Sequence, residues 1–242
     1  MKRLAIILST IFSLLALPCN AAKIERLMII TDTAGVELKI PIEEIDSVLF
    51  AEDVCETVEG HAVVDLGLKV KWAYANLDLE GKNMESAPYV ENDKALYGWA
   101  DPTGKQHSES LDDYPAGVNW PPNNISGTNF DIVKMNWGGE WRLPTDEEMR
   151  ELMTECTWTW ETVNEAHGYR VTGPNGNSIF LPASGFRYGE QADAKGVSGN
   201  YWSGTLSTDN NNSGRSISFN SVIKGTGYSM RLYGFSVRPV RP

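Results

Sequence analysis

Trp141-Arg142-Leu143-Pro144-Thr145-Asp146-Glu147-Glu148 is the stretch from which the rest of the chain can be read. Thr145 and Glu148 have the spacing of a capping box, in which each side chain satisfies an orphan backbone N–H at a helix start. Asp146 and Glu147 add negative charge at the positive end of the helix dipole. Met149, Leu152, Met153 and Cys156 then recur at i, i+3, i+4 and i+7, one apolar stripe of an amphipathic helix. The spacing predicts a helix over about 145–156.

Downstream the pattern turns to strands. Tyr169-Arg170-Val171-Thr172 and Ser178-Ile179-Phe180-Leu181 flank Gly173-Pro174-Asn175-Gly176-Asn177, the composition of a hairpin. Asn200-Tyr201-Trp202-Ser203, Ser216-Ile217-Ser218-Phe219 and Tyr233 to Val240 read as further short strands. Upstream, Val63 to Ala73 is a strand signal interrupted by Gly67. A long polar region from Asp78 to about Asn136 carries scattered aromatics at Tyr89, Tyr97, Trp99, Tyr114 and Trp120, and reads as loops packed by their own side chains. One helix among many short antiparallel strands and long loops is an α+β domain, expected over 60–242.

A smaller module is expected over 23–52. Leu27-Met28-Ile29-Ile30 and the alternating Val36-Glu37-Leu38-Lys39-Ile40, joined through Gly35, predict a β-hairpin. The acidic residues 53–59 read as a linker. Before them all, Lys2 and Arg3 followed by the apolar run Leu4 to Leu17 have the form of a secretory signal, with cleavage near Ala21 or Ala22 and a signal peptide over 1–22. That run is too short to span a membrane, so no transmembrane segment is expected. Cys19 is a lipoprotein alternative, disfavoured by Pro18 directly before it.

The chain carries 21 basic and 32 acidic residues, a formal charge of −11. Loss of Lys2 and Arg3 with the signal would leave 19 against 32, or −13. Nucleic acid is therefore not an expected partner. The imbalance is uneven, because from Val197 onward five Arg and Lys residues face Asp209 alone. Cys55 and Cys156 could close a disulfide in an exported protein; the alternative is a buried free thiol at Cys156, on the apolar face of the helix.

The motifs also resemble a known family. Val64-Asp65-Leu66-Gly67-Leu68 with Lys71-Trp72-Ala73 opens the resemblance, and Trp137-Gly138-Gly139-Glu140-Trp141-Arg142-Leu143-Pro144-Thr145 forms its centre. Gly173 to Asn177, Leu181-Pro182-Ala183-Ser184-Gly185, Tyr201-Trp202-Ser203 and Ser236-Val237-Arg238-Pro239-Val240 follow in order. Together they resemble the Fibrobacter succinogenes major paralogous domain of exported Bacteroidetes-type proteins. The resemblance implies a C-type-lectin-like fold, similar to that of formylglycine-generating enzymes. It does not imply their chemistry, which depends on cysteines late in the chain, whereas here none lies beyond Cys156. The composition of Tyr201 to Tyr233 is also similar to the Asn-, Tyr- and Ser-rich binding patch of the variable proteins of diversity-generating retroelements.

No catalytic constellation stands out. His61, His107 and His167 are widely spaced and form no zinc motif. Calcium needs only oxygens at flexible spacing, and Asp112, Asp113 and Asp131 fall in loops, yet no calcium-loop or calcium-lectin motif occurs; no cofactor is expected. Ser184 and Ser203 stand beside glycines as turn residues do, outside any nucleophile elbow. What remains is binding by aromatic-rich loops, since Trp and Tyr join an apolar face to a polar edge. The candidate ligand-binding residues are Tyr201, Asn210, Asn211, Asn212, Arg215, Tyr228, Arg231 and Tyr233. The expectation is an exported, non-catalytic protein, secreted, periplasmic or at the cell surface, recognising glycan or protein as an adhesin would. The alternative is a structural or assembly subunit, with an enzyme third.

Overall fold

The computed structural model describes residues 56–79, 94–111 and 122–242, and the backbone of strands 27–31 and 37–41. The chain divides into two compact units between Ala51 and Glu52. In the first, β1 (Leu27–Thr31) and β2 (Glu37–Pro41) pair antiparallel with Met28 opposite Ile40 and Ile30 opposite Leu38, as the alternation predicts. The expected signal segment, Cys19, Cys55, Asp112 and Asp113 lie outside the described residues.

The second unit is α+β, built of small antiparallel sheets with two helices among the described residues. In chain order its elements are β3 (Glu56–Val58), β4 (His61–Val64), β5 (Lys71–Ala73), α1 (Ile132–Asn136), α2 (Asp146–Glu155), β6 (Thr157–Val163), β7 (Ala166–Thr172) and β8 (Ser178–Pro182). Then come β9 (Phe186–Tyr188), β10 (Gln191–Asp193), β11 (Ser198–Leu206), β12 (Ser213–Asn220), β13 (Lys224–Met230) and β14 (Val240–Arg241). They form sheets of order β14-β5-β4-β3, β6-β7-β8, β10-β9 and β11-β12-β13. Among the described residues no helix is long and apolar enough to cross a membrane.

Two expectations are corrected. The linker expected over 53–59 is in part β3, an edge strand with Glu56 opposite Val63. Its charge finds a partner on the same sheet, because Lys71 Nζ donates to Glu56 Oε2 at 2.8 Å. Tyr233 to Val240 is not one strand. Phe235 exchanges both backbone bonds with Tyr97, Ser236 bonds Asn200 and Trp202, and the Pro239 carbonyl accepts from Ala73, so the segment changes partners every residue or two before Val240–Arg241 pairs with β5.

Helix α2 begins as its capping box requires. The Glu148 N–H donates to Thr145 Oγ1 at 3.2 Å, and the Thr145 N–H donates to Glu148 Oε2 at 2.8 Å. Arg142 clamps the same carboxylate from outside the helix, donating to its two oxygens at 2.8 and 2.6 Å. Burial acts to raise the Glu148 carboxyl, and the Arg142 guanidinium with the Thr145 N–H outweighs it, holding the group below the usual carboxylate range. Met149 and Leu152 are buried, with Met153 and Cys156 packed beside them.

Strand β11 lies between two cores because its alternate residues point to opposite faces. Trp202 enters one, with Trp99, Trp141 and Phe235. Tyr201, Ile217 and Phe219 enter the other, with Trp72, Met149, Leu152 and Ile179. Arg238 is fully buried where the C-terminal segment crosses this region. Its guanidinium donates to Asn76 Oδ1 (2.8 Å) and to the carbonyls of Ala73 (3.1 Å), Tyr74 (2.6 Å) and Phe180 (2.6 Å). A buried cation is tolerable only when its donors are answered in this way.

Asp131 is a structural residue and not a loop carboxylate open to calcium. It caps α1 and is buried, accepting from Val133 and Gly127 at 2.8 Å, Lys134 at 3.3 Å and Leu143 at 2.8 Å. Burial pushes its carboxyl up, against the pull of those N–H groups. The glycines at the centre of the quoted motif earn their place by conformation, since Gly138 and Gly139 turn the chain from α1 towards Trp141 at φ +73° and +50°.

Candidate binding surface

The hairpin formed by β12 and β13 is where the most exposed binding chemistry collects. Arg215 lies opposite Tyr228 in the register, and its guanidinium sits 5.8 Å from the Tyr228 ring centroid. Tyr228 is 50% exposed, so ring surface remains open to a ligand. Arg215 also donates to Asp209 Oδ2 and Thr208 Oγ1, both at 3.4 Å, which turns the loop 207–212 towards the same pair. A cation, a carboxylate, a hydroxyl and an aromatic face therefore meet within a few residues of the sheet.

The other side of the hairpin is different. There Ser216, Ser218, Gly225, Gly227 and Ser229 alternate with the Arg215–Tyr228 side, and form the floor of an open groove of about 290 Å³. Ile223, Lys224, Thr226 and Tyr228 complete its lining along the strand. The floor offers hydroxyls and backbone and no bulky side chain.

The residues expected at a C-terminal site are only partly brought together. Arg215 and Tyr228 are adjacent. Asn210 and Asn212 shape the loop beside them: Asn210 Oδ1 accepts from the Asn212 N–H at 2.9 Å, and the Asn212 carbonyl accepts from Arg231. Asn211 is exposed at the tip. Tyr201 is a correction. It is buried, accepting from Asn76 Nδ2 at 3.1 Å and donating to the Pro182 carbonyl at 2.9 Å, and burial pushes its hydroxyl up to about 12. Arg231 is buried as well, at 4% exposure. Tyr201 lies on β11 and Arg231 in the turn that follows β13, and the burial of both keeps either side chain from meeting a ligand at the surface.

Tyr233 belongs to a separate aromatic group. It packs on Phe186 (5.9 Å), Tyr188 (5.4 Å) and Phe235 (6.2 Å). Tyr188 is 39% exposed, and its hydroxyl donates to the Glu109 carbonyl at 3.2 Å. Sequence reading missed Tyr188, Asp209, Lys224 and the serine floor. The signal for the floor was the alternation in Lys224-Gly225-Thr226-Gly227-Tyr228-Ser229-Met230, in which small residues occupy every second place.

Other reactive groups are structural or quiet. Ser203 is buried with its hydroxyl donating to the Arg215 carbonyl at 3.0 Å. Cys156 caps the end of α2 as a free, half-buried thiol, raised to about 11 by burial and then by Glu151 and Glu155. Among the described residues no cluster of three or more His, Cys, Asp or Glu side chains could hold a metal. No family model, curated protein or solved structure matches the chain.

Proposed function

We propose that this is an exported, non-catalytic binding protein that recognises a glycan through the hairpin of β12 and β13. The observation that carries the reading is the half-exposed Tyr228 ring held beside Arg215, which also bonds Asp209 and Thr208. A sugar presents an apolar ring face to an aromatic and hydroxyls to charged and amide groups, and this edge of the sheet supplies both. Export is supported by Lys2, Arg3 and the apolar run to Leu17. The ordered motifs from Val64 to Val240 support membership of the major paralogous domain family, and with it a C-type-lectin-like fold for residues 60–242.

Binding of the protein to a broad glycan array, in calcium and in chelator, tests the proposal. Because the Arg215–Tyr228 surface supplies its own hydrogen bonds, the same glycans are bound in both buffers. An array blank in both buffers would remove the glycan reading and leave a protein ligand as the alternative for the same surface.

A further inference from the structure

The outer edge of β13 is complementary to itself. β13 is the last strand of its sheet, and among the described residues no strand or bridge lies along its far side. Exposed edges are usually guarded by proline, bulges or charge. Here seven consecutive residues pair with β12 in unbroken register, with no proline and with Lys224 as the single charge.

The hydrogen bonds at the two ends set the phase of this edge. The Asn220 N–H donates to the Ile223 carbonyl at 2.9 Å, and the Arg231 N–H donates to the Asn212 carbonyl at 3.0 Å. Bonded and non-bonded pairs alternate along an antiparallel ladder. The backbone groups of Gly225, Gly227 and Ser229 therefore face β12, while those of Lys224, Thr226, Tyr228 and Met230 face outward.

Bringing up a second, antiparallel β13 about a twofold axis through Gly227 sets Lys224 against Met230, Gly225 against Ser229 and Thr226 against Tyr228. Each outward-facing residue then meets an outward-facing residue, so the new ladder can close with bonded pairs. The side chains agree with this register. Thr with Tyr is a favourable β-branched and aromatic cross-strand pair, and the two Tyr228 rings become diagonal neighbours, about 7–8 Å apart. The two Lys224 side chains stand six residues apart along the edge, roughly 20 Å, beyond the screening length of about 8–10 Å.

The glycines fit as well. Neither Gly225 nor Gly227 has a positive φ, and a Cβ at either would meet nothing within 4 Å. Nothing within the chain calls for glycine at these places, although glycine weakens a strand. On the twofold axis the Gly227 pair is non-bonded, with Cα atoms about 4.5 Å apart, and has no side chains to collide. Ile223 and Met230, at 68% and 39% exposure, would gain cover.

We propose that two copies of this chain pair antiparallel through β13 about a twofold axis at Gly227, joining two three-stranded sheets into one continuous sheet. Resting on the glycan reading above, the dimer also places two Arg215–Tyr228 pairs on one face, where a repeating glycan gains from bivalency.

Disulfide trapping in the whole chain tests the register. Gly227→Cys forms a covalent dimer under mild oxidation, because its counterpart lies directly across the axis. Gly225→Cys does not, because its counterpart is displaced by four residues, about 14 Å, beyond the roughly 7 Å that a disulfide spans between Cα atoms. The unsubstituted chain, with its native cysteines, is the control for both. In sedimentation, Thr226→Pro weakens the dimer at least ~10-fold, since it removes an outward N–H and leaves the bonds to β12 intact. Equal trapping at 225 and 227, or an unsubstituted chain that stays monomeric across the micromolar range, would overturn the proposal. The two cysteine variants decide the matter even if the proline variant fails to fold.

Discussion

Replacing Asp131 with alanine should unfold much of what α1 and the Trp141 motif hold together. The carboxylate accepts from four backbone N–H groups on three segments: Gly127, the α1 residues Val133 and Lys134, and Leu143. Loss of an N-cap side chain costs about 0.5–2 kcal/mol. The Leu143 N–H lies in a buried setting, and leaving such a donor without an acceptor costs about 1–3 kcal/mol. Gly127 is exposed, so water can replace its bond at little cost. The sum is about 1.5–5 kcal/mol, a large share of the roughly 5–15 kcal/mol typical of a domain. Asp131→Asn should fall between wild type and alanine, because its one amide oxygen can serve only one of the two donor pairs. Urea denaturation reads both variants as a lower midpoint at unchanged slope. Hydrogen exchange should quicken at Val133 and Leu143 together. An Asp131→Ala protein within about 1 kcal/mol of wild type would show that these bonds do not hold the segments.

Arg238→Met should destabilise the protein by at least about 1–3 kcal/mol, since it takes a donor from the buried acceptors of Asn76, Ala73, Tyr74 and Phe180; thermal unfolding measures it. The lowered Glu148 carboxyl gives stability that is fully present above its unfolded value and is lost as pH falls through its folded one. The difference in stability between wild type and Glu148→Gln should therefore shrink on acidification below the ordinary carboxylate range, as read by denaturation at a series of pH values. Cys156, raised from 9.0 to about 11, should be alkylated near pH 8 on the order of 100-fold more slowly than an unperturbed thiol, because thiolate is the reacting form; mass spectrometry over time checks this.

The parts of the fold legible in the sequence are those whose signals are local. The capping box of Thr145 and Glu148 and the hairpin across Gly173 to Asn177 are decided by neighbouring residues, and both stand where the pattern puts them. The segment from Tyr233 to Val240 misled because its apolar residues belong to a core reached through several partners in turn, and no local period encodes that. Helix α1 was hidden because five residues are too few for a periodic stripe, and its cap, Asp131, looks like any loop acid. In the candidate site, Asn200-Tyr201-Trp202-Ser203 was legible as a strand. A strand pattern alone could not show that Tyr201 and Trp202 are both buried, since that requires a core on each face of β11. Arg215 and Tyr228 meet only through the register of β12 and β13, which is set by the short turn between Asn220 and Lys224 and is not encoded in the composition of either strand.

The most direct test of the account is to compare glycan binding by wild type, Arg215→Ala, Tyr228→Ala and Tyr188→Ala under one set of conditions. The half-exposed Tyr228 and the partly covered Arg215 beside it form one surface, and Tyr188 lies in the separate group around Tyr233. The account predicts at least ~10-fold weaker binding for the first two variants, the size expected of a lost anchor, with Tyr188→Ala unchanged and all four proteins equally folded. Binding that survives both hairpin substitutions and fails with Tyr188→Ala would contradict it and move the site to the other aromatic group.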